Sequence, residues 1–177
     1  LKHPSRWSAT TIGALPIGHE VTVTPLQMVC AVSVVANGGV YMKPFMVKYI
    51  TDHQEMVIQE FQPQAVDRVM TLETSERLKK ILQGAVEIGT GKRARVKGVS
   101  VAGKTGTSQK VVGGQYSHDK YFASFIGFAP VEDPKIAAVV MFDEPHPSYF
   151  GGTVAAPVFQ EMLVDTLKYL DALEQDL

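Results

Sequence analysis

Lys104-Thr105-Gly106-Thr107 sets a cation, two hydroxyls and a position without a side chain on successive residues of a strand-like run, a combination suited to holding a carboxylate. The lysine supplies a fixed positive charge and each threonine can donate to a carboxylate oxygen. The glycine removes the Cβ that would keep a second backbone away. Such an edge suits an extended peptide added as a strand through main-chain hydrogen bonds. Gly98 to Thr105 also satisfies the phosphate-loop pattern formally, and the apolar run Ile136 to Asp143 ends on an aspartate of the kind that would hold magnesium. A phosphate loop must lead into a helix whose amides face the phosphates. Here Thr105 is followed by Gly106, Val111, Val112, Gly113 and Gly114, which suits a hairpin better than a helix. Gly98-Val99-Ser100-Val101-Ala102 approximates a nucleophile elbow but needs a helix straight after its serine, and Ser100 reads as a strand residue. The histidines His3, His19, His53, His118 and His146 stand apart, so neither a metal site nor a cofactor is expected.

The elements that must position this run follow from periodicity. Thr24 before Pro25 predicts a helix start and Asn37-Gly38-Gly39 its end. The residues between are apolar nearly all round, which predicts burial on most sides, with Cys30 a small buried hydrophobe. Val40 to Phe61 predicts two strands around Asp52-His53-Gln54. Leu78, Ile81, Leu82, Ala85 and Val86 recur at helical spacing from Thr71 to Ile88, ended by Gly89-Thr90-Gly91. The basic cluster Lys92, Arg93, Arg95 and Lys97 alternates with Ala94 and Val96 and reads as a solvated strand face. Ser100 to Val112, Tyr121 to Ala129 and Lys135 to Phe142 predict an antiparallel meander, turning at Gly113-Gly114 and around Asp133-Pro134. Thr153 to Leu173 predicts a last amphipathic helix with Pro157 in its first turn.

Composition narrows the class. Seventeen Lys and Arg against 18 Asp and Glu leave a formal charge of −1, so nucleic acid is not an expected partner. With 45% apolar and 20% charged residues the chain is an ordinary folded one, and a lone cysteine excludes an internal disulfide. The longest nearly apolar stretch, Met28 to Ala36, falls short of the roughly 20 residues that span a bilayer. The chain opens on Leu1 in mid-pattern and reads as a piece of a longer protein, soluble as it stands.

Val101-Ala102-Gly103-Lys104-Thr105-Gly106-Thr107-Ser108-Gln109-Lys110 resembles the Lys-Thr-Gly strand of the penicillin-binding proteins. The resemblance to class B members continues in Val23 to Met28 with Ala36 to Gly39, in Gly84 to Glu87 with Gly89 to Lys92, and in Tyr149-Phe150-Gly151-Gly152 with Ala155 to Phe159. It implies an α/β (α+β) fold of the serine D,D-peptidase and β-lactamase type, an antiparallel sheet flanked by helices. Residues 1–177 would be the C-terminal part of the transpeptidase domain. The implied activity is peptidoglycan cross-linking: a serine attacks a D-Ala-D-Ala stem peptide, releases D-alanine and passes the acyl group to a neighbouring amine, and β-lactams trap the same serine. Carried onto this chain, Lys104 would supply charge beside that serine. Thr105 and Thr107 would hold the terminal carboxylate, the Thr107 N–H would be one oxyanion-hole donor, and Gly106 would let the substrate strand lie close. Tyr149 and Phe150 would form an aromatic rim. The family implies a place at the outer face of the cytoplasmic membrane, through an anchor not in this chain.

The chain departs from the family in two motifs. The only Ser-x-x-Lys is Ser117 to Lys120, downstream of Lys104 and between strands, and Ser-x-Asn is absent because Asn37, the only asparagine, has Val35 two residues before it. The expected partner is therefore the upstream part of the same domain. A non-catalytic sensor or scaffold of the same fold, and a phosphate-loop protein, are the competing readings. This chain by itself should form no covalent adduct with a fluorescent penicillin in intact-mass spectrometry; a stoichiometric adduct would return attention to Ser117.

Overall fold

The computed structural model describes residues 3–18 and 21–175; of the histidines above, His19 lies outside them. A 3₁₀ turn Pro4–Arg6, the short helix α1 (Thr11–Ala14) and a second 3₁₀ turn Leu15–Ile17 lead into helix α2 (Pro25–Ala36). Thr24 and Gln27 close a reciprocal cap on α2: Gln27 N–H donates to Thr24 Oγ1 at 3.2 Å and Thr24 N–H to Gln27 Oε1 at 2.9 Å. Helix α3 (Leu72–Glu87) starts in the same way, with Thr74 N–H on Thr71 Oγ1. Ser75 on α3 donates to the Val35 carbonyl at 2.7 Å and ties the two helices through a buried hydrogen bond.

The sheet that matters is three-stranded and antiparallel, in the order β5 (Ala102–Val112), β6 (Gln115–Ala129), β7 (Ile136–Asp143). Gly113 and Gly114 have φ of 61° and 84°, the double left-handed conformation that lets a two-residue turn follow the strand twist. Alternation along β6 feeds two cores. Phe125 joins Val86, Val140, Ala155, Phe159 and Leu163 beneath helix α4 (Gly151–Gln175), while Phe128 joins Val32, Val35, Ala36 and Val131 beneath α2. The expected α+β class, a sheet between helices, is what the chain adopts. Ser100 sits just before β5, accepting from Val131 N–H and donating to Glu132, whose carboxyl that bond holds below its usual range.

Several local expectations need correction. Residues 40–68 form four short strands: β1 (Val40–Met42) pairs with β4 (Ala65–Arg68), and β2 (Tyr49–Thr51) with β3 (Val57–Glu60). Asp52 Oδ1 accepts from Gln54 and Met56 N–H at the hairpin tip, as the turn residues suggested, but Pro44 separates β1 from β2 and the sequence hid β4. Strand β6 starts at Gln115, six residues before Tyr121, because pairing runs to the Gly-Gly turn. Helix α2 buries Val32, Val34, Val35 and Ala36 but leaves Leu26 57% exposed and Cys30 half-buried, so the described residues cover one side of it, not most.

The basic cluster is not a strand face. Lys92–Ala94 is a 3₁₀ turn with Ala94 buried, and Arg95 Nε donates to the Val86 carbonyl near the end of α3. Helix α4 begins at Gly151, which puts Pro157 in its second turn. The missing N–H of Pro157 would orphan the Thr153 carbonyl one turn back. Arg93 Nη1 lies 3.4 Å from that oxygen and donates to it. No described helix is long and apolar enough to cross a membrane.

The first residue of α4 is held by contact. A Cβ on Gly151 would fall inside the Gly106 and Ser124 carbonyl oxygens, and one on Gly152 would lie 2.6 Å from the Thr90 carbonyl. In the complete protein Gly151→Ala should therefore lower stability by about 1–3 kcal/mol or more through forced backbone shifts, against about 1 kcal/mol for removing the α2 cap with Thr24→Ala. Equal melting temperatures for the two variants would mean that α4 does not seat on the sheet this tightly.

Candidate functional site

Three elements meet at one edge of the sheet. Strand β5 is an edge strand and carries Lys104, Thr105, Gly106 and Thr107. The C-terminal turn of α3 brings Thr90, because Ile88 and Gly89 N–H both close on the Gly84 carbonyl and Gly91 N–H on that of Ala85. The N-terminus of α4 brings Gly151.

Each threonine hydroxyl is steered by a neighbour. Thr105 Oγ1 lies 2.8 Å from Thr90 Oγ1, and the Lys104 ammonium donates to the Thr105 carbonyl at 3.0 Å and reaches its hydroxyl at 3.4 Å. Thr107 Oγ1 accepts the Gly151 N–H at 3.1 Å. An accepting hydroxyl keeps its own proton free to donate, so this bond aims the Thr107 O–H away from the helix end. The positive end of the α4 dipole lies against the same hydroxyl and favours an anion there. Lys104, Thr107 and Thr90 are exposed and Thr105 is half-buried, so a ligand can reach them. In the sequence Thr90 is part of a helix stop, and nothing in its spacing tells that it faces Thr105. Gly106 packs against Ser124, whose Oγ a Cβ at 106 would strike.

The aromatic pair sits beside this set, in the segment leading to Gly151. Tyr149 stacks on Tyr121 of β6 with ring centroids 4.1 Å apart and planes 12° from parallel, and Phe150 tilts against Tyr149 at 4.5 Å. Tyr149 and Phe150 remain 38% and 56% exposed. Tyr121 donates its hydroxyl to the His118 carbonyl at 3.1 Å. Its periodicity marks it only as a strand residue.

The competing motifs fall apart on geometry. Thr105 continues into strand to Val112, so no helix N-terminus faces a phosphate there. Ser100 leads into strand and its hydroxyl is engaged by Glu132 and Val131. Ser117 lies inside β6 rather than at a helix start, and its hydroxyl donates to Asp119 at 2.5 Å, which holds that carboxyl below its ordinary range.

Residues 2–164 match the penicillin binding protein transpeptidase domain. Stage V sporulation protein D of Bacillus subtilis is 41% identical over 155 residues, covering 86% of this chain and 24% of that protein. Penicillin-binding protein PbpB of Mycolicibacterium smegmatis is 35% identical over 168 residues, covering 89% and 26%. Penicillin-binding protein 3 of Mycobacterium tuberculosis, solved in complex with ampicillin, superposes with a TM-score of 0.86 at 30% identity over 97% of this chain and 40% of that one. The chain thus spans about a quarter of the length of these two relatives. With the Lys-Thr-Gly-Thr edge, the flanking helices and a family match over nearly its whole length, the chain belongs to the penicillin-binding protein transpeptidase family.

Proposed function

We propose that this chain is the C-terminal part of a serine-type peptidoglycan D,D-transpeptidase domain, and that its β5 edge recognises the carboxylate of a D-Ala-D-Ala stem peptide or of a β-lactam. The observation that carries the reading is the pair of hydroxyls at Thr105 and Thr107, held by Thr90 and by the first N–H of α4, beside the Lys104 ammonium. The stem's terminal carboxylate accepts from both hydroxyls and is balanced by Lys104 and the helix end. That anchoring sets the penultimate carbonyl where an upstream serine attacks it. The Thr107 N–H stabilises the oxyanion, Lys104 assists the proton network, D-alanine leaves, and an amine of a second stem takes the acyl group. Tyr149 and Phe150 line the groove as its aromatic rim.

The nucleophile comes from the upstream part of the same domain, so this segment alone is inactive. That upstream part also covers the exposed side of α2, an apolar groove lined by Leu26, Cys30, Ala31, Val34 and Tyr41. The relatives' names support a cell-envelope role, for which the outer face of the cytoplasmic membrane is the place where stem peptides are met.

The test is the second-order rate of penicillin acylation by the complete protein. Lys104→Ala should lower it by ~10²–10³-fold, the size of losing one oxyanion-type donor. Thr107→Ala should act more mildly, since its backbone N–H survives, but it also removes the cap of α4 and so lowers stability by about 1 kcal/mol. Thr107→Ser should keep both. A folded Lys104→Ala protein that acylates at the wild-type rate would show that this edge is not the active one. Absence of any acylation in the wild type would favour a sensor or scaffold.

A further inference from the structure

One side chain outside the carboxylate set is placed to control the aromatic rim. Lys110 stands where the β5–β6 register shifts, between Gln109 and Val111. Its side chain is 21% exposed and crosses above Phe122 of the central strand, with Nζ 4.9 Å from the ring centroid. It ends at the far side of the sheet, 2.8 Å from Asp143 Oδ1 and 2.7 Å from Glu144 Oε1. Lys120 adds a weaker contact to Glu144 at 3.5 Å. One ammonium thus joins the edge strand to the last residue of β7 and to the one after it.

Glu144 is where the chain leaves the sheet toward the rim. Its φ of 48° is a left-handed backbone that a residue with a side chain adopts only when its surroundings hold it. Three contacts do so: the ion pair with Lys110, the weaker one with Lys120, and the Glu144 N–H donated to the Tyr121 carbonyl at 2.9 Å. Tyr121 is the residue on which Tyr149 stacks. The segment from Glu144 to Phe150 is therefore tied at its start by Lys110 and at its end by Gly151 on Thr107, with the stacked tyrosines between. The hydrogen bonds with Asp143 and Glu144 raise the Lys110 pKa and hold Glu144 low, so both stay charged.

We propose that Lys110 is a positioning residue for the substrate groove: through Asp143 and Glu144 it sets the path of residues 144–150 and so the placement of Tyr149 and Phe150. It touches neither substrate nor the reacting atoms. The inference rests on reading Tyr149 and Phe150 as the groove's aromatic rim, and its effect is on selectivity for ligands that carry an aromatic group.

The experiment uses the complete protein and two penicillins: ampicillin, whose side chain ends in a phenyl ring, and aminopenicillanic acid, the nucleus with a free amine instead. Lys110→Met keeps an apolar stem over Phe122 and removes the charge; Lys110→Arg keeps the charge. Lys110→Met should lower acylation by ampicillin about tenfold, the scale of a small misplacement, and by the bare nucleus less than about twofold. It should also weaken the near-ultraviolet circular dichroism of the stacked tyrosines, and Lys110→Arg should restore both. Where Lys110→Met does not fold, Glu144→Gln takes its place with the same expected change in ratio. A folded Lys110→Met or Glu144→Gln protein with an unchanged ratio of the two rates overturns the proposal, as does a ratio that Lys110→Arg fails to restore. Tyr149→Ala separates the two levels. If it changes the ratio while the Lys110 variants do not, the rim stands and Lys110 has no part in it. If Tyr149→Ala itself leaves the ratio unchanged, the rim reading fails and takes the proposal with it.

Discussion

The site depends on how closely the N-terminus of α4 approaches the sheet at Gly151. Only a residue without a Cβ fits between the carbonyls of Gly106 and Ser124, and that fit brings the first helical N–H onto Thr107. The same seating draws Gly152 under Thr90, so the end of α3 and the start of α4 close on β5 together. The residues immediately before Gly151 are then delivered to the rim of the edge strand. The seating of α4 thus fixes the C-terminal end of the segment that carries Tyr149 and Phe150.

That approach has electrostatic consequences. A helix of 25 residues directs its positive end at one hydroxyl of β5, while Lys104 serves the other. The helix end and the ammonium thereby place positive charge beside both hydroxyls, an arrangement that suits an anion. Three other cations near the sheet have structural partners. Arg93 serves the carbonyl that Pro157 leaves open, Arg95 serves the end of α3, and Lys110 joins β5 to β7. A formal charge close to zero thus conceals a strongly differentiated distribution.

Among the family's motifs the Lys-Thr-Gly-Thr edge is fully legible in the sequence, and the fold explains why it survives as a unit. Its residues are neighbours on one strand, so their relative placement is settled once the strand forms. The phosphate-loop and nucleophile-elbow patterns are equally local, but each requires a helix next in the chain, and the hairpin at Gly113-Gly114 dictates strand instead.

What the amino-acid sequence determined by itself was whatever depends on residues a few positions apart: the Thr24 cap, the helix start at Thr71, the Gly-Gly turn, the meander and the placing of residues 104–107 on one strand. Such interactions follow from backbone geometry and periodicity. The sequence misjudged the strands around Pro44, the strand reading of Lys92 to Lys97 and the turn that holds Pro157, where short alternating runs suit more than one conformation and pairing partners decide. Only the tertiary structure set Thr90 against Thr105, 15 residues away, Gly151 on Thr107, 44 away, Lys110 on Asp143, 33 away, and Arg93 on Thr153, 60 away. No periodicity encodes these contacts, because they arise where separate elements pack, and the packing is set by the shape and volume of the cores on the two faces of the sheet.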